Sequence, residues 1–187
     1  MKRLNLILLI LFCACSKPNP KVLIDTDLGE IIVELYARQA PVTVKNFVKH
    51  IKAGTYKNAS FYRVVRADNQ PGDSVKIEVI QGGVRDEEQR YKPIKHESTR
   101  QTQLSHKNGV ISMARSEPGT ATTEFFICIG DQPELDYGGK RNPDGQGFAA
   151  FGKVIEGMAI VGAIHQQSVN GQYLLTPVPI ITMRINN

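Results

Sequence analysis

The 187-residue sequence has only three cysteines, and two of them, Cys13 and Cys15, fall within the first fifteen residues. If that segment is removed or lipidated, Cys128 stands alone, so no intramolecular disulfide can form and the fold must hold by its core. Cys128 lies in the apolar run Phe125-Phe126-Ile127-Cys128-Ile129, where a buried, inert thiol is expected and not a nucleophile. An apolar run able to cross a bilayer is also missing, because the Leu4 to Phe12 stretch falls short of the about 20 residues a spanning helix needs. His50, His96, His106 and His165 are scattered, without a close pair or a helical ligand spacing, which argues against a zinc site. No nucleophile-elbow pattern marks a serine hydrolase. The glycine-rich stretch from Gly138 to Gly147 lacks the strand-loop-helix context and the Lys-Ser/Thr ending of a phosphate loop, so it reads as a surface loop. No metal or cofactor is expected. Charge of one sign is scarce too: the formal net charge of +5 falls to +3 once Lys2 and Arg3 are set aside, with acids and bases interspersed. Nucleic acid is therefore not an expected partner.

Those first residues have a pattern of their own. Lys2 and Arg3 form a basic start, Leu4 to Phe12 an apolar core, and Cys13-Ala14-Cys15 a small-residue exit. The segment 1–15 resembles a bacterial lipoprotein signal, with Cys15 as the acylated residue that becomes the new amino terminus; a plain secretory signal is the alternative. Residues 16–20, with Pro18 and Pro20, read as a short stiff tether to a domain over 21–187. A chain so built would face the periplasm of a bacterial cell envelope, held at the inner or outer membrane by its lipid anchor only.

The remainder has the composition of one globular domain, 41% hydrophobic and 22% charged, and its sixteen glycines and ten prolines favour many short elements joined by turns. Val22 to Thr26 and Glu30 to Tyr36 read as a hairpin, with Ile31, Val33 and Leu35 alternating against Glu30 and Glu34. Pro41 opens a helix whose Val44, Phe47, Val48 and Ile51 share one face, and Gly54 stops it. Strands are expected at Phe61 to Arg66, from Ile77, at Gly109 to Arg115, Glu124 to Ile129, Phe148 to Val154 and Val178 to Ile185, with a second helix around Met158, Val161 and Ile164. Gln89 to Lys107 reads as irregular and Ala67 to Ser74 as a surface loop. The predicted fold is mainly β, a closed eight-stranded antiparallel β-barrel capped by two α-helices, which leaves no exposed sheet edge.

Two of these strands, Phe61 to Arg66 and Ile77 to Gly83, would bring Arg63 and Gln81 together, and this pairing is the candidate site. Five blocks carry a wider likeness: Phe61-Tyr62-Arg63-Val64-Val65, Gln81-Gly82-Gly83, Gly109 to Ala114, Glu124-Phe125-Phe126-Ile127 and Phe151 to Met158. In their order and approximate spacing they resemble the cyclophilins over about Val22 to Ile185. The resemblance implies the cyclophilin barrel and peptidyl-prolyl cis-trans isomerase activity on proline-containing polypeptides, by a monomer. It also implies roles: Arg63 as catalytic donor, Gln81 as a hydrogen-bonding partner of the substrate backbone, Phe126 as pocket floor, Leu135 and Phe148 along its rim, Ala114 and Glu124 on the neighbouring groove. A non-catalytic proline-peptide-binding module or holdase on the same scaffold is the alternative from another functional class.

Departures from the family pattern are specific. An aromatic pocket wall of many cyclophilins falls at Glu78 or its neighbour Val79. Glu124 stands for the usual glutamine, Glu134 for a rim tryptophan or phenylalanine, and Phe148 for the histidine of animal members. Two of these changes are expected to add negative charge near the groove and to weaken cyclosporin binding. The insert from Arg66 to Lys76 lies close enough to supply a replacement wall.

Overall fold

Thr26 and Gly29 turn the chain between the first two strands. The Thr26 hydroxyl donates to the Gly29 carbonyl at 2.7 Å, and Gly29 adopts a φ of +129° that a side chain would resist. The computed structural model describes residues 18–85 and 91–186; the proposed signal segment with Cys13 and Cys15, and the start of the tether, lie outside these residues. Strand β1 (Lys21–Thr26) pairs antiparallel with β2 (Gly29–Leu35), in which Ile31, Val33 and Leu35 are fully buried while Glu30 and Glu34 turn outward. Helix α1 (Pro41–Lys52) starts on its proline, as expected. Its exposed amide donors are satisfied from far along the chain: Glu97 accepts from the backbone N–H groups of Val42 and Thr43 and from the Thr43 hydroxyl.

Strands β3 (Ser60–Val65), β4 (Val79–Gly83), β5 (Val110–Met113), β6 (Phe125–Cys128) and β7 (Ala149–Glu156) follow, then helix α3 (Met158–His165), a two-residue strand β8 (Val169–Asn170) and the long β9 (Tyr173–Asn186). The lateral order is β1-β2-β7-β5-β6-β4-β3-β9, and β9 closes the ring by pairing back onto β1. Eight antiparallel strands thus form the expected closed barrel. Differences from expectation are local. A short helix α2 (Thr99–Thr102) with a Ser98/Gln101 capping box, and a 3-10 turn at Pro133–Leu135, arise where the sequence looks irregular. Among the described residues the helices therefore number three and not two, α1 and α3 being the pair foreseen. The last strand begins at Tyr173 and not Val178, because its first residues fold back on β8.

Strand β4 begins at Val79 and not at Ile77, for a reason inside the Arg66 to Lys76 insert. The Gln70 amide, 1% exposed, donates to the Arg66 and Ile77 carbonyls at 2.7 and 2.8 Å and accepts from the Ile77 N–H at 3.3 Å, taking the groups a strand partner would use. Gln70→Ala should lower the unfolding free energy by about 1–3 kcal/mol in chemical denaturation, because it leaves buried backbone groups unpaired.

Alternation along the barrel strands sorts apolar residues into two bodies. Inside lie Phe47 of α1 with Phe125 and Phe151 at ring separations of 5.5 and 5.0 Å, and Val161 and Ile164 of α3 join the same core. Outside the barrel wall Val65, Ile77, Val79, Phe126, Cys128 and Leu135 make a second, smaller cluster with Ala114 and Phe148 packed on it. Burial pushes the Cys128 thiol up, consistent with an inert core residue. Among the described residues no helix is long and apolar enough to cross a membrane.

Candidate active site

The outer cluster is the floor of a cavity of about 230 Å³. Of the residues expected at the site, Arg63, Gln81, Ala114, Phe126, Leu135 and Phe148 line this one cavity; Glu124 is not among its lining residues.

Arg63 reaches the cavity because β3 carries a bulge. The register against β4 shifts between Phe61 and Arg63, so Tyr62 is the extra residue and Arg63 comes opposite Gln81. Glycine at 82 is required for this approach, since a Cβ there would lie 2.8 Å from both the Phe61 ring and the Ser60 carbonyl oxygen. The Arg63 guanidinium donates from one terminal nitrogen to Gln81 Oε1 at 2.7 Å, and from Nε and its other terminal nitrogen to Gln172 Oε1 at 3.0 and 2.5 Å. Gln172 is the part that sequence reasoning missed. It sits in the β8–β9 turn, where its backbone carbonyl accepts from the Val64 N–H and its side-chain amide donates to the Asn69 carbonyl. These bonds use three of the five guanidinium N–H groups, and among the described residues two remain for a substrate. Burial lowers the Arg63 pKa from the usual arginine value, with Tyr173 and Tyr62 opposing the shift; an arginine so high to begin with stays cationic.

The floor is supported from beneath. The Phe126 ring meets Phe148 edge-on at 5.2 Å and stacks on His106 at 5.9 Å, with ring planes 16° apart. Asp136 accepts from the His106 backbone N–H at 2.9 Å and from Nδ1 at 2.6 Å, which leaves Nε2 to accept the Ser112 hydroxyl at 3.0 Å. Ser112, His106 and Asp136 thus have the order of a hydrolase triad, yet Ser112 is 0% and His106 1% exposed under Phe126, where no substrate carbonyl can reach. The arrangement fixes the floor. The rim is cationic: Arg115 lies 5.0 Å over the Phe148 ring and forms a bidentate pair with Asp144 at 2.7 and 3.0 Å, which holds the Asp144 carboxyl below the ordinary aspartate range.

The two carboxylates expected to add negative charge near the groove stand behind the cavity lining. Glu134 Oε2 accepts the Lys140 N–H at 2.8 Å, and the Glu124 carboxylate accepts the Tyr62 hydroxyl; neither residue lines the cavity, which carries Arg63, Arg115 and Arg141. Of Glu78 and Val79, Val79 lines the cavity, beside Ile77, and Glu78 does not. An aliphatic pair thus forms this part of the wall. The insert contributes by position as well: Arg141 donates to Gln70 Oε1 at 2.9 Å and to the Val75 carbonyl at 2.7 Å, and pairs with Asp73 at 3.1 Å, which pins its guanidinium at the cavity edge.

Comparison with known proteins bears on the family and the fold. A sequence-family profile described as cyclophilin type peptidyl-prolyl cis-trans isomerase/CLD matches residues 21–185. The chain is 37% identical over 150 residues to peptidyl-prolyl cis-trans isomerase A of Dickeya dadantii, covering 78% of this chain and 70% of the relative. It is 35% identical over 160 residues to a peptidyl-prolyl cis-trans isomerase of Acinetobacter baylyi, covering 83% and 77%. Among solved structures, a Cryptosporidium parvum cyclophilin type peptidyl-prolyl cis-trans isomerase superposes with a TM-score of 0.73 at 23% identity, over 90% of this chain and 98% of that one. A crystal structure of the same protein in the presence of the dipeptide Ala-Pro gives 0.72.

Proposed function

The chain belongs to the cyclophilin-type peptidyl-prolyl cis-trans isomerase family, and from that membership we propose that it rotates Xaa-Pro bonds of exported polypeptides with Arg63 as the catalytic donor. Isomerisation breaks no bond. Its barrier, about 18–20 kcal/mol, is the amide resonance lost on twisting, and the uncatalysed exchange takes tens to hundreds of seconds. In the twisted state the proline nitrogen regains a lone pair, so a donor aimed at that nitrogen favours the transition state over both planar isomers.

The observation that carries this reading is the Arg63 guanidinium, clamped by Gln81 and Gln172 over an apolar floor with two N–H groups to spare. Clamping removes the rotamer entropy a free arginine would lose on reaction, and the Phe126 floor with Leu135 and Phe148 accepts the proline ring away from water. Gln81 keeps one amide hydrogen beyond its bond to Tyr62, which suits it to a substrate carbonyl. An isomerisation assay of wild type against Arg63→Ala tests the reading; equal rates for both, at background, contradict it.

The context is proposed from the leader. Residues 1–15 carry the lipoprotein pattern and the family match begins at residue 21, so Cys15 would tether a monomeric domain to a bacterial envelope membrane on its periplasmic side. Mass spectrometry of the protein from membranes is expected to find an amino-terminal diacylated Cys15 peptide; an unmodified or leader-less soluble product contradicts the anchor. Weak cyclosporin binding stays expected, with Val79 and Ile77 giving the cavity an aliphatic wall. Nanomolar inhibition in the same assay would refute it.

A further inference from the structure

Glu124 is a sequence departure that the cavity does not absorb. Its carboxylate is one end of an unbroken series of side-chain hydrogen bonds: the Tyr62 hydroxyl donates to Glu124 Oε1, Gln81 Nε2 donates to the Tyr62 oxygen at 2.8 Å, and Arg63 donates to Gln81 Oε1 at 2.7 Å. Every donor in the series points toward the carboxylate, so the negative charge at one end and the guanidinium at the other polarise the neutral groups between them in the same direction. That order also settles the amide of Gln81. Its oxygen must face Arg63 because its nitrogen must face a tyrosine whose only hydrogen is already given to Glu124.

We propose that Glu124 is a positioning residue, which through Tyr62 and Gln81 fixes the orientation of the Arg63 guanidinium that acts on the proline nitrogen. The proposal rests on the reading of Arg63 as catalytic donor. Local structure supports each link. The Tyr62 ring stacks with Tyr173, at 6.5 Å and 17°, and has the Arg85 guanidinium 5.7 Å from its centroid. Glu124 is fixed by its backbone, whose carbonyl accepts the Ala114 N–H at 2.9 Å. It comes close to β4 only because residue 83 is glycine, where a Cβ would lie 3.0 Å from the Glu124 Cα and 2.7 Å from the Thr123 oxygen. The series belongs to this pairing of residues: a tyrosine at 62 needs an acceptor, and a carboxylate at 124 can only accept.

Steady-state kinetics on an Xaa-Pro peptide test the proposal. Glu124→Ala is expected to lower kcat about tenfold with KM unchanged, since Glu124 does not line the cavity and only the alignment of Arg63 is lost. Tyr62→Phe, which removes a single oxygen, should lose as much, and the double variant no more than either alone. Glu124→Gln keeps an oxygen acceptor and should recover most of kcat. In nitrogen-labelled protein the Arg63 Nε–H resonance should be sharp in wild type and broaden in Glu124→Ala and Tyr62→Phe. If Arg63→Ala is inactive while Tyr62→Phe and Glu124→Ala keep wild-type kcat, the positioning role falls and the Arg63 reading stands. A raised KM with unchanged kcat would make Glu124 a substrate contact and overturn the proposal. Full activity of Arg63→Ala would remove the premise itself. Should Glu124→Ala not fold, Tyr62→Phe decides alone.

Discussion

Arg63→Ala should lower kcat/KM for an Xaa-Pro peptide by about 10²–10³-fold, the cost of removing one preorganised donor from a transition state. The protein should remain folded. Loss of the guanidinium leaves Gln81 Oε1 and Gln172 Oε1 without their donors, a penalty of about 1–3 kcal/mol against the 5–15 kcal/mol that ordinarily separates folded from unfolded chains. Arg63→Lys should recover little of the rate. One ammonium cannot span Gln81 on one side and Gln172 on the other as the planar fork does, so the cation would keep its charge and lose its direction. Gln172→Ala should fall between wild type and Arg63→Ala, because Gln81 still holds one arm. Measured kcat/KM values for the three variants, taken where thermal melts show all to be native, rank these expectations.

Phe125→Ala and Phe126→Ala, neighbours on β6, should fail in opposite ways. Phe125 is 0% exposed and meets Phe47, Tyr56 and Phe61 at ring separations of 5.5 to 5.9 Å inside the barrel, so its truncation should cost about 3–5 kcal/mol of stability. Activity per folded molecule should change little. Phe126 lines the cavity and, among the described residues, meets the rings of His106 and Phe148 where Phe125 meets three, so truncation there removes less packing and takes away the floor on which a proline ring rests. The expected result is a smaller loss in denaturation midpoint and a fall in kcat/KM of roughly tenfold to a hundredfold. The reverse pattern would mean that the proline pocket lies elsewhere.

That contrast marks how far the sequence could be read. The strand Phe125-Phe126-Ile127-Cys128 is apolar throughout, because one face fills the barrel and the other the outer cluster, and such a run shows no polar alternation to tell the faces apart. The barrel was legible where one face meets water, as in β2, and where proline opens α1. Pairing of Arg63 with Gln81 was legible because both lie on strands joined through one insert, although the bulge at Tyr62 that sets the register leaves no mark in composition. Gln172 was not legible: it meets Arg63 across 109 residues of sequence, from a turn with no periodicity. Glu124 was only partly legible for a related reason. Standing where the family pattern has glutamine, it reads as a charge near the groove, but only the approach of its backbone at Gly83 shows that the carboxylate goes to Tyr62. His106 was read as one of four scattered histidines, and only the fold puts Asp136 and Ser112 on its two nitrogens. The insert was legible as a loop near the site, but not the buried Gln70 that ties it to Arg141.

The central claim is that Arg63 acts on the twisted bond and not chiefly on the bound peptide. Exchange NMR on a saturating Xaa-Pro peptide measures both at once, since chemical-shift changes report binding and cis-trans cross-peaks report rotation on the enzyme. Arg63→Ala is predicted to bind the peptide with an affinity within a few-fold of wild type while the on-enzyme cross-peaks vanish. Wild-type exchange rates in the bound Arg63→Ala complex would contradict the account, and so would a variant whose rotation fell only in proportion to lost binding.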